Sequence, residues 1–341
     1  MKLHYLFISL LLFNSLTACS DDDNKPGTPP VPPDMSGFAK GADVSWITQM
    51  EKANVKFYNT QGREMECMRL LRDLGMNTVR LRVWVDPADG WCNKADLLVK
   101  AYRAHNLGMR LMIDFHYSDV WADPGSQTKP AAWENLSFDE LKTAVADHTT
   151  EILTALKNQG ITPEWVQVGN ETGNGMLWPD GQADKNMAQY AALNNAGYDA
   201  TKAIFPNAKV IVHLQGGDNN NLYRWLFDGL KTNGGKWDVI GMSLYPSADK
   251  WQTFVDACVD NIKDMTERYG CEVMICETGM PWEQAATAKL FLTDLITRVQ
   301  GFDNALGVLY WEPEAHNSWN GYQLGAFDES GKPTEALDAF K

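Results

Sequence analysis

Leu74-Gly75-Met76-Asn77-Thr78-Val79-Arg80-Leu81-Arg82-Val83-Trp84 is the stretch that decides the fold, because the same grammar returns at Leu107-Gly108-Met109-Arg110-Leu111-Met112-Ile113-Asp114-Phe115-His116. In each copy a helical pattern ends in Leu-Gly-Met and an apolar run follows at once. Gly75 and Gly108 occupy the place of a helix C′ glycine, where a left-handed backbone closes the last turn. Working outward, apolar strand-like runs occur at 40–46, 77–84, 110–116, 165–169, 209–214, 239–245, 273–277 and 306–311. Helix-period stretches lie between them, among them 64–74, 95–106, 139–158 and 185–204. Strands and helices alternating along a chain mark parallel α/β architecture. Eight such units in the about 300 residues from Phe38 to Lys341 predict an α/β fold, a single closed (β/α)8 TIM barrel.

Residues 1–18 read as a processed leader, a Lys2 start followed by an apolar run shorter than the roughly 20 residues a membrane span needs. The run closes on Leu16-Thr17-Ala18-Cys19, which resembles a bacterial lipobox with Cys19 lipidated as the mature N-terminus. Residues 19–37 continue with Ser20-Asp21-Asp22-Asp23 and Pro-rich sequence that has little to bury, so they are expected to be a solvated linker. An acidic tag at that place resembles the export signal of Bacteroidetes lipoproteins. The expectation is an outer-membrane lipoprotein, lipid-anchored and facing the cell surface, with the barrel at 38–341 acting as a monomer.

The 30 basic against 44 acidic residues exclude nucleic acid and polyanionic ligands, which this chain would repel. Thirteen tryptophans are the more informative number, because several lie outside the apolar runs and an indole face stacks on the C–H face of a sugar ring. Beyond Cys19 the chain has Cys67, Cys92, Cys258, Cys271 and Cys276, whose spacings fit neither a zinc site nor a disulfide framework, although one bridge is possible.

In a barrel of this kind the chemistry sits at the C-terminal strand ends. Here those ends carry Asp43 and Trp46, Arg80 and Trp84, Asp114 and His116, Asn170 and Glu171, His213, Tyr245, Glu277, and Trp311 and Glu312. Acids, imidazoles and large rings converging on one face suit a sugar-cleaving cleft. Glu171 follows the fourth strand and Glu277 the seventh, ends that face each other across the barrel mouth. Retaining glycoside hydrolysis needs two carboxyl groups roughly 5–5.5 Å apart, one acid/base and one nucleophile. Either glutamate alone could be a surface acid. Arg80 and Tyr245 are candidate donors to Glu277, and Arg80 is equally a candidate partner of Asp114. His116 and His213 are read as donors to sugar hydroxyls or as groups orienting the glutamates. The metal-dependent hydrolases of this fold place His-x-His after the first strand, where this chain has Gly41-Ala42-Asp43-Val44, so no metal and no other cofactor is expected.

Asn170-Glu171 with Glu277 resembles clan A glycoside hydrolases. That resemblance implies Glu171 as acid/base, Glu277 as nucleophile and Asn170 as a hydrogen-bond partner of the sugar 2-hydroxyl. The stretches 41–45, 79–87, 114–119, 121–130 and 169–179 narrow it further, since Asp114-Phe115-His116-Tyr117-Ser118-Asp119 and Gly169-Asn170-Glu171-Thr172-Gly173-Asn174-Gly175 are distinctive. Together they resemble the endo-β-1,4-galactanases of glycoside hydrolase family 53, from Gly41 to about Trp311. The resemblance implies cleavage of β-1,4-galactan, the side chains of pectin, with Trp84 and Trp311 as stacking platforms and Asp43 and His116 as hydroxyl partners. The rival readings are another clan A enzyme acting on β-glucan or mannan, and a surface glycan-binding protein without activity. Only Thr278-Gly279-Met280-Pro281-Trp282 links the seventh strand to its helix, so distal subsites are expected to be few, with Trp282 the one candidate platform there.

Overall fold

The computed structural model describes residues 37–341. Cys19, the acidic run Asp21-Asp22-Asp23 and the Pro-rich stretch lie outside the described residues. The eight expected strands are β1 (Ala39–Asp43), β2 (Thr78–Val83), β3 (Arg110–Phe115), β4 (Trp165–Val168), β5 (Lys209–Leu214), β6 (Val239–Leu244), β7 (Glu272–Thr278) and β8 (Ala305–Trp311). Each pairs in parallel with its sequence neighbours, and β8 returns to β1 with Gly307 opposite Ala39 and Trp311 opposite Asp43. The sheet is a closed barrel. The helices outside it are α1 (Ile47–Lys52), α2 (Cys67–Asp73), α3 (Lys94–Asn106), α4 (Phe138–Asn158), α5 (Ala183–Ile204), α6 (Asn220–Thr232), α7 (Trp251–Tyr269) and α8 (Ala285–Gln300).

Local chemistry accounts for the joints. Gly75 (φ 104°) and Gly108 (φ 68°) are left-handed directly after α2 and α3, as the repeated Leu-Gly-Met requires. Ser137 and Glu140 form a reciprocal capping box at the start of α4. The helix expected at 64–74 starts later. Glu66 caps it by accepting from the Met68 and Arg69 amides, and Glu64–Met65 instead pairs as a short antiparallel strand with Phe57–Tyr58.

Strand β2 shows how the barrel is filled. Val79, Leu81 and Val83 pack outward with the helices in the main core, each contributing about 1.5–3 kcal/mol by leaving water. Arg80 and Arg82 alternate with them and point inward. The barrel interior has two regions. Ala39, Met112, Trp165, Ile211, Val239, Met274, Cys276 and Leu309 form an apolar plug, and above it Asp43, Arg80, Asp114, Gln167 and His213 form a buried polar block that reaches the strand ends. All five cysteines among the described residues are unpaired.

Candidate active site

Arg80 is the centre from which the site is built. It is wholly buried, so its charge must be matched inside the barrel. Nη1 donates to Asp43 Oδ2 at 2.8 Å, while Nη2 lies 2.9 Å from both Asp114 Oδ2 and Glu277 Oε1. Nη2 also donates to Asn170 Oδ1 (2.9 Å) and, with Nε, to Gln167 Oε1. Gln167 passes the order on, its Nε2 donating to Asp114 Oδ1 at 2.5 Å. Burial alone would raise the Asp114 carboxyl, but Arg80 and His116 outweigh it and hold it below the ordinary range. Both sequence readings of Arg80 hold: it supports Glu277 and it pairs with Asp114.

Glu277 reaches this block through an irregularity in β7. The β6–β7 register runs from Met242 opposite Ile275 to Ser243 opposite Glu277, so Cys276 is passed over. Such a bulge turns consecutive side chains to the same face. Cys276 joins the interior plug, and Glu277 also points inward, where Tyr245 donates its hydroxyl to Oε2 at 3.0 Å. Glu171 follows β4 by a different route. Its backbone is left-handed (φ 47°), a strained conformation for a residue with a Cβ. That turn carries its carboxyl to the side of the mouth where Ser243 and Asp123 stand.

The two carboxyls face one cavity of about 290 Å³, shared with His116, Trp121, Asp123, Asn170, Tyr245, Trp311, Tyr322 and Leu324. Burial pushes both up, with the Glu171 charge adding to the rise at Glu277, and Asp123 and Asp114 adding to that at Glu171. They therefore titrate as a pair that retains one proton near neutrality. The donors are unequal. Glu277 takes the Arg80 guanidinium and the Tyr245 hydroxyl, both of which favour a carboxylate. Glu171 has only a serine hydroxyl within reach, feels Arg80 without an ion pair to it, and has two acids in its field. The donor geometry favours the carboxylate at Glu277 and so the proton at Glu171.

Several residues read as sugar contacts sit lower or further back than expected. Asp43, Arg80 and His213 have no exposed surface and cannot touch a ligand. Asp43 is used up by Arg80 and Ser45, and His213 lies between Asn170 Oδ1 (3.1 Å) and Ser243 Oγ (2.8 Å). Trp84 is 8% exposed and stands edge-on behind Trp121, which is 37% exposed and forms the wall in its place. His116 does line the cavity, but both ring nitrogens are taken: Nδ1 accepts from Trp84 Nε1 and the Ala122 amide, and Nε2 faces Asp114. It meets a ligand with a carbon edge rather than as a hydroxyl partner. Trp311, Tyr245 and Asn170 do line the cavity. Asn170 gives one Nδ2 hydrogen to Ala122 O at 2.8 Å, which aims its oxygen at Arg80.

Sequence reading passed over Ser243, Tyr322 and Leu324, and quoted Gln167, Trp121 and Asp123 only inside longer stretches. Ser243 and Gln167 carried a usable signal, Ser243 because it lies two residues before Tyr245 and Gln167 because it is a polar residue between Val166 and Val168. Tyr322 and Leu324 come from the irregular segment after β8 and had none. Both line the cavity, with the Tyr322 ring 4.8 Å from that of Trp311. Beneath the aromatic wall, Arg82 pairs with Glu312 and lies 5.2, 5.4 and 4.4 Å from the ring centres of Trp46, Trp84 and Trp121.

The comparisons agree with this architecture. A solved fungal β-1,4-galactanase superposes with a TM-score of 0.83 at 30% identity, over 89% of this chain and 99% of its own. The family 53 catalytic domain of Ignisphaera aggregans gives a TM-score of 0.79 at 30% identity, over 93% and 97%. The arabinogalactan endo-β-1,4-galactanase of Thermothelomyces thermophilus is 31% identical over 89% of this chain and 98% of its own length. The model of glycosyl hydrolase family 53 matches residues 39–340, a span that runs through every strand of the barrel and both glutamates at its mouth, and the chain belongs to that family.

Proposed function

We propose that this chain is an endo-acting, retaining β-1,4-galactanase that cleaves galactan and type I arabinogalactan by double displacement. The observation that carries the mechanism is the unequal provision for two carboxyls in one cavity. Glu277, held ionised by Arg80 and Tyr245, attacks the anomeric carbon and forms a glycosyl-enzyme. Glu171 gives its proton to the departing glycosidic oxygen, then takes one from the water that releases the sugar. The second Nδ2 hydrogen of Asn170, not used by Ala122, serves the 2-hydroxyl. Trp121 and Trp311, whose ring centres stand 5.9 Å apart edge to face, form one aromatic wall for the sugars. The choice of galactan rests on the galactanase relatives, and the neutral polymer meets no electrostatic objection from a chain of net charge −14.

A polysaccharide panel read by reducing ends tests the substrate, with galactan expected to be cleaved to a spread of oligomers and glucan and mannan untouched. Cleavage of mannan or glucan in preference would overturn it. Proton NMR within minutes of mixing should show the β anomer first; an α product sinks double displacement. With an activated aryl galactoside, azide should rescue Glu171→Ala and yield the β-galactosyl azide. Rescue of Glu277→Ala to that product reverses the roles. We place the enzyme on the outer membrane through a lipid on Cys19. Cys19→Ala should release it from membranes, and deleting Asp21 to Asp23 should leave it anchored but shielded from external protease. Unchanged protease access would make the acidic run a spacer only.

A further inference from the structure

The buried pair His213 and Ser243 has no role in the mechanism above, yet it links the side chain of Asn170 to the Glu171 carboxyl. His213 Nδ1 is 3.1 Å from Asn170 Oδ1, and His213 Nε2 is 2.8 Å from Ser243 Oγ. Ser243 Oγ in turn stands against the Glu171 carboxyl, where a hydrogen that it donated would lower that carboxyl. The direction of each bond can be worked out from what each atom is able to do. Asn170 spends an Nδ2 hydrogen on Ala122 O, so the atom facing His213 is its carbonyl oxygen, an acceptor only. A bare Nδ1 lone pair against that oxygen would be repulsive in a wholly buried place, so Nδ1 carries the hydrogen. The Glu171 amide approaches Nδ1 too, but at 3.4 Å and against this direction.

Burial and the nearby Arg80 keep the imidazole neutral, so it has one hydrogen to place. With that hydrogen on Nδ1, Nε2 is an acceptor and the Ser243 hydroxyl must donate to it. The hydrogen of Ser243 is then spent. Towards Glu171 the serine has only lone pairs to offer, and it pairs with a protonated carboxyl rather than with a carboxylate.

We propose that His213 and Ser243 are positioning residues that form a one-way hydrogen-bond chain, Glu171 to Ser243 to His213 to Asn170, which holds and aims the proton of Glu171. This rests on Glu171 being the acid/base. The chain works alongside the charges around Glu171: Asp123 from the loop after β3, Asp114 on β3 and Glu277 on β7 favour the protonated form, whereas Arg80 on β2 favours the ionised one. An unrestrained serine would add to the Arg80 side by donating. Turned round by His213, it opposes it.

The sign of one shift decides between the two. In Ser243→Ala the alkaline limb of the kcat/KM profile on galactan should move to lower pH by roughly half to one unit, the effect of one lost hydrogen bond. A shift to higher pH means that Ser243 donates to Glu171 and overturns the proposal, as does no shift. A second measurement needs no variant. In the wild-type protein with 15N-labelled histidine, His213 should show the Nδ1–H tautomer in long-range 15N–1H correlation, and an Nε2–H pattern overturns the proposal whether or not Ser243→Ala folds. If azide fails to rescue Glu171→Ala while both results come out as expected, the acid/base assignment fails and the hydrogen-bond chain stands.

Discussion

Removing the Tyr245 hydroxyl separates the two glutamates, because it touches only one of them. Tyr245 donates to Glu277 Oε2 at 3.0 Å. A hydrogen bond to a charged acceptor is worth about 1.5–3 kcal/mol, and each pKa unit corresponds to about 1.4 kcal/mol. Tyr245→Phe should therefore raise the pKa for ionising Glu277 by about one to two units. In the pair, the first proton to leave comes from Glu277 and the second from Glu171. Activity needs the first gone and the second present, so the acid limb of kcat/KM reports Glu277 and the alkaline limb Glu171.

The signs follow directly. Glu277 is ionised on both sides of the second step, so losing its donor leaves that step alone. The profile of Tyr245→Phe should narrow from the acid side only, with the acid limb displaced to higher pH by one to two units. Initial rates on polymeric galactan from pH 4 to pH 9 measure both limbs, and circular dichroism at each pH checks that the barrel is intact. A displaced alkaline limb with a fixed acid limb would mean that the shared proton sits on Glu277, and the argument from unequal donors would be wrong.

Three further outcomes concern stability. Arg80→Met leaves Asp43, Asp114 and Glu277 without their common cation and should cost about 3–5 kcal/mol in urea unfolding at pH 7. Asp114 has a depressed folded pKa, so its share of stability is present above about pH 3.9 and lost below, and the deficit of the variant should shrink as the pH falls past that point; a deficit independent of pH refutes this. His148, among the rings of Phe115, Tyr117 and Trp133, is pushed down by burial to about 4. A depressed histidine loses stability as pH falls between its unfolded value of about 6.5 and its folded one, by about 1.4 kcal/mol per unit, so His148→Leu should flatten the unfolding midpoint over that window relative to wild type. The Glu171–Glu277 pair keeps a proton that the unfolded chain releases, so wild-type stability falls as pH rises above about 4.3. Glu171→Gln should be inactive yet gain in relative melting temperature from pH 4 to pH 8, and a constant difference would sink the shared-proton account.

The strands were legible because their pattern is stringent. Val79, Leu81 and Val83 must be apolar to meet helices, and the residues between them must then face the barrel interior. What alternation does not encode is depth. Side chains on one face of a strand differ in height by about 7 Å per step, and the tilt of the strands sets which step reaches the mouth. Asp43 was therefore placed on the correct face but one layer too high, whereas Arg80 and His213 keep the supporting places that were the other reading of each. Trp84 was misplaced for another reason: it ends its strand, but the loop residue Trp121 lies over it. Tyr322 and Leu324 belong to a segment without periodicity, where only the folded chain shows which side chain turns inward. The galactanase family resemblance was carried by loop sequences such as 121–130 and 169–179, which pattern rules alone would have left as turns.

The same residue type performs two tasks here because the backbone departs from regular strand geometry at each glutamate in a different way. Had β7 continued without its bulge, Glu277 would alternate with Cys276 and point out toward the helices, far from Arg80. Had β4 continued as a strand, Glu171 would lack the left-handed turn that swings it toward Ser243 and Asp123. The bulge brings one carboxyl against a guanidinium and a phenol. The turn brings the other against a hydroxyl and two acids. Chemical asymmetry between nucleophile and acid is thus set by two local irregularities in an otherwise repetitive barrel. Exchanging Asp for Glu at either position would disturb the mechanism by moving a carboxyl about one methylene out of its partners' reach, without changing its intrinsic acidity by more than about half a unit.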